Sequence, residues 1–565
     1  MVKKMREHNQ AEDSPQLVAR QLSQAEKYNQ SIGYYELARK NNRFYHGDQW
    51  MGLETKRIQL MTSNFLQRPV SYFVSQIVSD DIGFDIEPLI PGLDAEDALE
   101  VLPDLVERVF QRNDFRMKNR DVIKQAAIEC EGCLHWYFDP EMETSQQACG
   151  DIRCERLPSV NVMFGNPHDC NVQDQPYILI KRRVPVAVMR KRAEMLGCRE
   201  WEKITSDTNS QLAAGTERSG EENMVTEVLK YWKTRKKDDK QSKTSVHFCR
   251  VCGEVQVQGD TDTHSSLYPI ARMQWNTQDG SYHGSCPLTS FISTQITVNR
   301  SLTLVCEFVK NFGLPKIFYK RDAFPGGLKN DPTRAYACRE DPSSAVYQIA
   351  AGADVPVNII NLIDNLVNNA RDYMGTSDAA LGNITPDNTS AIIATQKATA
   401  APLLLQTMNF YQYVRECVRI VIDQIGAHYG LRVVRYEDNN GTNTPVSIDF
   451  SAINVDEMDL EINVGAASYW SELTAIQTLD NLASQGIIPM DDPEAVLIYL
   501  QSMPDGYIPN RQKLIDYYEQ RMQAAEMQAQ TEAIADQMLN QQEMEQLGAE
   551  NQNVQPEMAG NVEVA

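Results

Sequence analysis

Apolar residues recur at helical spacing from Gln16 to Tyr45, at Leu17, Leu22, Ala25, Tyr28, Ile32, Tyr35 and Leu37. This predicts a helical stretch that ends in the turn His46-Gly47-Asp48. Asn64 to Ile82 predicts a second helix and Phe84 to Pro88 a strand. Ala95 to Phe110 and Met117 to Glu129 predict two further helices. The period then changes to two. Leu134 to Asp139, Ile152 to Val162, Tyr177 to Val184, Met224 to Trp232, Ser245 to Gly259 and Leu267 to Trp275 alternate as strands. A short basic helix is predicted from Pro185 to Leu196. The polar stretch 206–223 reads as a surface loop, and Lys233 to Lys243 as a charged hairpin end. Gly132 to Trp275 is therefore a mostly β layer with helices on its N-terminal side.

Helical periodicity returns at Pro287 and runs to about Asn311. Between Leu314 and Pro356 stand Pro315, Pro325, Gly326, Gly327, Pro332, Pro342, Gly352 and Pro356. That density of breakers excludes a long helix and predicts a small β-containing insert. Val357 to Ala380 is helical again, and Gly382 to Asn388 is a polar loop. Thr389 to Tyr429 predicts one very long helix, kinked near Pro402 because proline removes a backbone bond inside a helix. Leu431 to Glu437 and Val446 to Ile453 flank the turn Asp438-Asn439-Asn440-Gly441 as a hairpin, and Leu460 to Gly465 is one more strand. Tyr469 to Gln485, Asp492 to Met503 and Asn510 to Met527 predict helices. From Gln528 onward the chain is rich in Gln, Glu, Asn and Met with no Lys or Arg, an acidic tail expected to be disordered.

Composition narrows the classes. The 565 residues suffice for about three or four domains. Apolar content of 42% allows a large core. Mean hydropathy is −0.44, and no run of about 18 uncharged apolar residues occurs, so no membrane span is expected. The first residues, MVKKMREHNQAEDSPQ, are basic without an apolar stretch behind them, so a signal peptide is not expected. Twelve cysteines without a secretion signal are read as reduced thiols of a cytosolic fold. A formal charge of −23 makes the chain a poor general binder of nucleic acid, since that affinity comes largely from cations on phosphate.

Candidate chemistry changes the picture little. Cys130 and Cys133, and Cys249 and Cys252, form two CxxC pairs that would suit a four-cysteine zinc site. More than a hundred residues separate them, beyond ordinary zinc-ribbon spacing, so buried thiols are the plainer reading. His135 and His247 nearby read as core or surface histidines. Phe44, Tyr45 and Trp50 read as core aromatics rather than a base-stacking surface. Asp80-Asp81 and Asp491-Asp492 read as helix caps or solvated pairs. No GxxxxGK[ST], HExxH or GxSxG motif is present, and no cofactor is implied.

The order of elements carries a resemblance. NNRFYHGDQW near the start, GSCPLTSF opening the helix at 287, and GTSDAALGNITPDNTSAIIATQKATAAPLL before the long helix together resemble the portal (head-to-tail connector) proteins of tailed bacteriophages, particularly the short-tailed type. The resemblance spans nearly the whole chain. It implies an α+β subunit of wing, stem, clip and helical crown, assembling as a ring, expected to be dodecameric, around a channel for double-stranded DNA. Residues 1–288 would be wing, 289–313 and 357–381 the two stem helices, 314–356 the clip and 382–388 the tunnel loop. Residues 389–468 would complete the wing, 469–527 would be the crown and 528–565 the tail. The chain is shorter than the largest portals of that type, which puts a long C-terminal barrel in question.

Carried onto this sequence, Gly382, Asn383, Thr385, Asp387 and Asn388 would face DNA, and Lys316, Lys320, Arg321 and Lys329 would dock partners. An ordinary solvated surface is the competing reading of those four cations. Implied partners are the terminase large subunit, the head-to-tail adaptor, and the major capsid and scaffolding proteins. The implied location is the capsid vertex, after assembly in the host cytoplasm. The chain would be a structural conduit and not an enzyme. A zinc-dependent nucleic-acid enzyme built on the CxxC pairs, or another structural virion protein, is the alternative.

Overall fold

The structure, a computed structural model, describes residues 11–53, 58–78, 82–88, 96–143, 150–207, 223–237, 242–312, 316–324, 337–339, 341–349, 357–376, 401–437, 443–455, 458–464, 469–485, 493–503, 513–515, 517–518 and 521–522. The chain is α+β and divides into two compact units, 1–464 and 465–565. In the first unit the stretch expected as one helix is two, α1 (Pro15–Ser31) and α2 (Tyr34–Tyr45). Gly33 separates them at φ 72°, a left-handed conformation that glycine takes without a Cβ clash. α3 (Gln67–Ile77) is shorter at both ends than the expected 64–82, and β1 (Ile82–Pro88) follows. α4 (Glu96–Arg112) and α5 (Phe115–Glu129) meet at Asp114. α5 is an interior helix, with Val122, Ile123, Ala126, Ala127 and Ile128 all buried.

Cys130, at φ 78°, turns the chain directly from α5 into β2 (Glu131–Asp139). The β layer continues with β3 (Asp151–Leu157), β4 (Val162–Phe164) and β5 (Tyr177–Pro185). The strand expected over 152–162 is interrupted by a 3-10 turn at Ser159–Asn161. After α6 (Val186–Met195) come β6 (Met224–Lys237), β7 (Ser242–Cys252) and β8 (Val255–Asp262). The run 245–259 is thus two strands, reversed at Gly253. β9 (Ile270–Gln274), β10 (Asn276–Gln278) and β11 (Ser281–Ser285) complete the layer.

Strands β4-β5-β6-β7-β8 form an antiparallel sheet of five in chain order, and β3-β2-β9 a sheet of three. β5 is buried on both faces. Ile178 and Ile180 meet Cys133, Leu157 and Ile270 of the smaller sheet. Leu179, with Val228 and Trp232 of β6, meets Val18, Leu22 and Ala25 of α1. These three α1 residues lie four and three apart, the spacing of one helix face. On the same side, fully buried Lys181 pairs with Glu26 at 2.7 Å and buried Lys230 pairs with Glu12, so α1 is held by charge as well as by apolar contact.

α7 (Pro287–Phe312) leads into β12 (Lys316–Tyr319), the one-turn α8 (Pro342–Ala345), β13 (Val346–Ile349) and α9 (Val357–Tyr373). α10 (Leu404–His428) starts after a 3-10 turn at Ala401–Leu403. Pro402 sits in that turn, immediately before the helix. The preceding part of the expected helix, 389–400, lies outside the described residues. α10 is buried along most of its length, through Phe410, Tyr413, Val414, Cys417, Val418, Val421 and Ile425. β14 (Leu431–Glu437) and β15 (Asn443–Asp449) form the expected hairpin. β16 (Met458–Val464) pairs antiparallel with β1, joining segments more than 370 residues apart. The second unit contains α11 (Tyr469–Ser484) and α12 (Pro493–Gln501), tied by the Tyr499 hydroxyl donating to Asp480 at 2.7 Å.

One buried carboxylate joins five elements. Glu131 on β2 is 1% exposed. Its Oε1 accepts from His283 Nδ1 of β11 at 2.7 Å and from the Tyr34 hydroxyl of α2 at 3.2 Å. Its Oε2 accepts from Arg272 of β9 at 3.1 Å. The other nitrogen of His283 meets Asn29 Oδ1 of α1 at 2.9 Å, and the ring stacks on Tyr34 at 3.7 Å. Burial alone would raise the Glu131 pKa. His283, Arg272 and the Tyr34 hydrogen bond outweigh it, so the carboxyl titrates below the ordinary glutamate value.

A depressed carboxylate contributes stability that is fully present above its unfolded-state pKa, about 4.3, and is lost as pH falls through the lower folded value. Glu131→Gln leaves Arg272 and His283 facing a neutral amide and is expected to cost about 3–5 kcal/mol at pH 7. The gap between variant and parent should narrow on acidification below about pH 4. Urea midpoints at pH 7 and at about pH 3 check this. A constant gap refutes the linkage.

Candidate assembly and docking surface

α7 is about 39 Å long at 1.5 Å per residue, and its two halves differ. The first half is built into the core through Leu288, Ile292 and Val298. Between these apolar positions lie Gln295, Asn299 and Thr303, four residues apart and all buried. They meet alternate residues of the segment 61–65. Thr303 Oγ1 accepts from the Met61 N–H at 3.1 Å, Asn299 Oδ1 from the Ser63 N–H at 3.0 Å, and Gln295 Oε1 from the Phe65 N–H at 3.2 Å. Gln295 Nε2 donates back to the Ser63 carbonyl at 2.6 Å, and Asn299 donates to Gln49. Four helical residues advance about 6.0 Å and two extended ones about 6.6 Å, so the two segments keep register. At the start of the helix, Asn41 donates to Thr289 Oγ1 and to the Ile128 carbonyl, both at 2.8 Å.

The second half of α7 leaves this support. Leu304 is 65% exposed, and Cys306 and Val309 are exposed. α9 packs along α7 and contributes Ile363, Ala370 and Met374, with Ile359, Leu366 and Val367 partly buried. These positions form one helical stripe. Val357, Ile360, Leu362 and Tyr373 are exposed beyond the edges of that stripe, while the opposite side carries the polar residues Asn361, Asn365, Asn368 and Asp372. Apolar residues left exposed beside a covered stripe are a surface awaiting a neighbour.

The segment joining these helices bears the expected β structure. β12 and β13 form a two-stranded antiparallel pair. Phe318 and Tyr347 are cross-strand partners, and Tyr347 is 71% exposed. Ala323, Phe324 and Ala345 make a small core beneath, and Asp341 caps α8 by accepting the Ser343 N–H at 3.1 Å. A two-stranded ribbon is marginal alone, and an exposed aromatic pair on one reads as a contact surface. Lys316 lies on β12, while Lys320 and Arg321 are exposed just after it. Lys329 lies outside the described residues, as do Gly382, Asn383, Thr385, Asp387 and Asn388.

The structure does not bring the two CxxC pairs together. Cys130, Cys133, Cys249 and Cys252 are buried in four separate apolar clusters. Burial pushes the Cys249 and Cys252 thiols up to about 12 and raises Cys133 further. A hydrogen bond with Cys286, then burial, raises Cys130. Thiols so disposed share no tetrahedral position. No group of three or more metal-ligating side chains occurs among the described residues. Nor is any helix among them long and apolar enough to cross a membrane.

A search of curated proteins returned no match. The model of one family, described as phage P22-like portal protein, matches residues 23–561, nearly the whole chain. The chain belongs to the phage P22-like portal protein family, the structural head-to-tail connectors of bacteriophage virions.

Proposed function

We propose that the chain forms a ring of twelve copies around a DNA channel at one capsid vertex, used for genome packaging, retention and ejection. The observation that carries this reading, beside the family match, is the α7–α9 pair: seated in the core at one end, with apolar residues left uncovered along it. In this reading the two helices are the stem, and neighbouring subunits cover their exposed residues. Residues 314–356 are the clip, which meets the terminase large subunit during filling and the head-to-tail adaptor afterwards. Residues 382–388 are the tunnel loop, α10 and the β layer form the wing, and 469–527 form the crown. The major capsid and scaffolding proteins contact the ring during assembly in the host cytoplasm. ATP hydrolysis belongs to the docked motor.

The charge of −23 fits a conduit. Each phosphate paired with Lys or Arg adds affinity, and affinity for a sliding duplex is friction. The channel wall is therefore expected to be polar to acidic, and an imaged ring with a predominantly basic lumen refutes this.

Native mass spectrometry with negative-stain imaging tests assembly. The expected species is a perforated ring near twelve times 64.0 kDa. Leu304→Glu combined with Ile360→Glu removes about 1.5–3 kcal/mol of apolar burial per side chain and should shift the protein to monomers. Rings of unchanged yield refute the stem assignment. Lys320→Glu with Arg321→Glu should leave ring mass unchanged and weaken motor or adaptor binding by about tenfold, mainly through association rate at low salt. Unchanged binding identifies these residues as ordinary solvated surface.

A further inference from the structure

A cavity of about 290 Å³ lies among β5 to β8, β2 and the C-terminal end of α10, within the first unit and apart from the helix pair. Tyr137, Phe138 and Phe248 give it flat apolar walls, and Arg182, Arg192 and Arg250 line it as well. Three guanidiniums thus converge on one small cavity. Two carboxylates are shared among them. Arg182 pairs with Glu155 at 2.7 Å, while Arg250 and Arg192 share Glu227 at 3.0 and 3.6 Å. Asp262, also on the lining, accepts from Ser245 and from the His264 N–H at 2.8 Å.

The protons can be placed. Arg182 only donates, and its Nη2 lies 2.8 Å from His135 Nδ1, so Nδ1 carries a lone pair. Burial, then the charges of Arg182 and Arg250, hold the imidazole neutral. Its single proton is therefore on Nε2 and is donated to the Tyr231 hydroxyl at 3.0 Å. Tyr231 is 4% exposed, and burial pushes its pKa up to about 12, so it keeps its own proton. Among the described residues that proton has no acceptor. The buried Nε–H groups of Arg182 and Arg250 likewise have none. On the far wall, Gln424 donates to the Trp136 carbonyl at 2.8 Å, which fixes its amide and leaves Oε1 as an unpaired acceptor.

Buried donors are ordinarily paired. Three without acceptors around one aromatic-walled cavity describe the complement of an acceptor-rich group attached to a ring. We propose that this cavity is a binding site for a small planar molecule bearing an oxyanion, its oxygens taken by Tyr231, Arg182 and Arg250 and its ring held between the aromatic walls. The volume is at the lower end of small-molecule sites, about 300 Å³, and excludes a DNA duplex. The ligand would bridge the five-stranded sheet and α10, so its binding would couple those two parts of the subunit.

Isothermal titration of the full chain with adenosine monophosphate, benzoate and inorganic phosphate tests the assignment. At least one ringed probe should bind saturably, one per chain, and inorganic phosphate should bind about tenfold more weakly or not at all, since it cannot use the aromatic walls. Arg182→Gln and Tyr231→Phe should each weaken the ringed probe by about tenfold. Arg182 also pairs with Glu155, so Tyr231→Phe, which removes one hydroxyl, is the decisive variant; cooperative thermal unfolding of the unliganded variant shows that it folds. Lys203→Gln, at an exposed residue that does not line the cavity, should change nothing. No saturable heat from any probe up to about 10 mM overturns the proposal, as does affinity that Tyr231→Phe leaves unmoved, or inorganic phosphate binding as well as the ringed probes.

Discussion

Five elements from the first 285 residues converge on the network around the carboxylate of Glu131, and the fold depends on that charge being satisfied. α1, α2, β2, β9 and β11 each supply one polar group to the network. A buried carboxylate without partners would cost several kcal/mol, so the elements that bring partners cannot drift independently. The same position fixes the backbone. The turn from α5 into β2 uses left-handed Cys130, and Gly132 follows because a Cβ there would lie 2.5 Å from the Val122 carbonyl. α5 and β2 are thus pressed together by sterics at one residue and tied to three other elements by charge at the residue before it. The polar ladder on α7 begins at Gln295, ten residues beyond the end of β11, the strand that carries His283. The helix pair is consequently aimed by the most constrained part of the core.

Much of this architecture was readable from the order of apolar and polar positions. The β layer, the helix at 287, the breaker-rich insert and the hairpin at 431 all stand where periodicity and turn residues place them. What escaped was of two kinds. Local errors came from residues whose backbone state periodicity does not reveal. Gly33 splits a continuous apolar stripe, and Gly253 reverses a strand that alternates through the turn. Long-range errors came from pairings that no local window contains. β1 and β16 meet across most of the chain, and Glu131, His283 and Arg272 are scattered over 150 residues.

The ladder of Gln295, Asn299 and Thr303 was visible as three polar residues four apart in an apolar helix. Its meaning required knowing that the irregular segment before α3 lies against that face. The CxxC pairs failed in the opposite sense: a suggestive spacing in sequence was dispersed by the β layer into four clusters, because neighbouring residues of a strand face opposite sides.

The distribution of satisfied and unsatisfied groups separates what the subunit does for itself from what it leaves to others. In the first half of α7 every side-chain donor and acceptor of the ladder is used within the chain. Past Thr303 the ladder ends and apolar side chains stand uncovered, on α7, on α9 and on the β12–β13 ribbon. Exposed apolar surface costs free energy in water and is retained where another surface removes it. A helix pair rooted by hydrogen bonds and finished by apolar contacts can therefore be stiff as a monomer near its base and gain its remaining stability from neighbours. In the proposed ring this division would let each helix pair be set at a fixed angle by its own core before the interface forms. Association then need not supply the entropy of ordering the helices as well as that of joining the subunits.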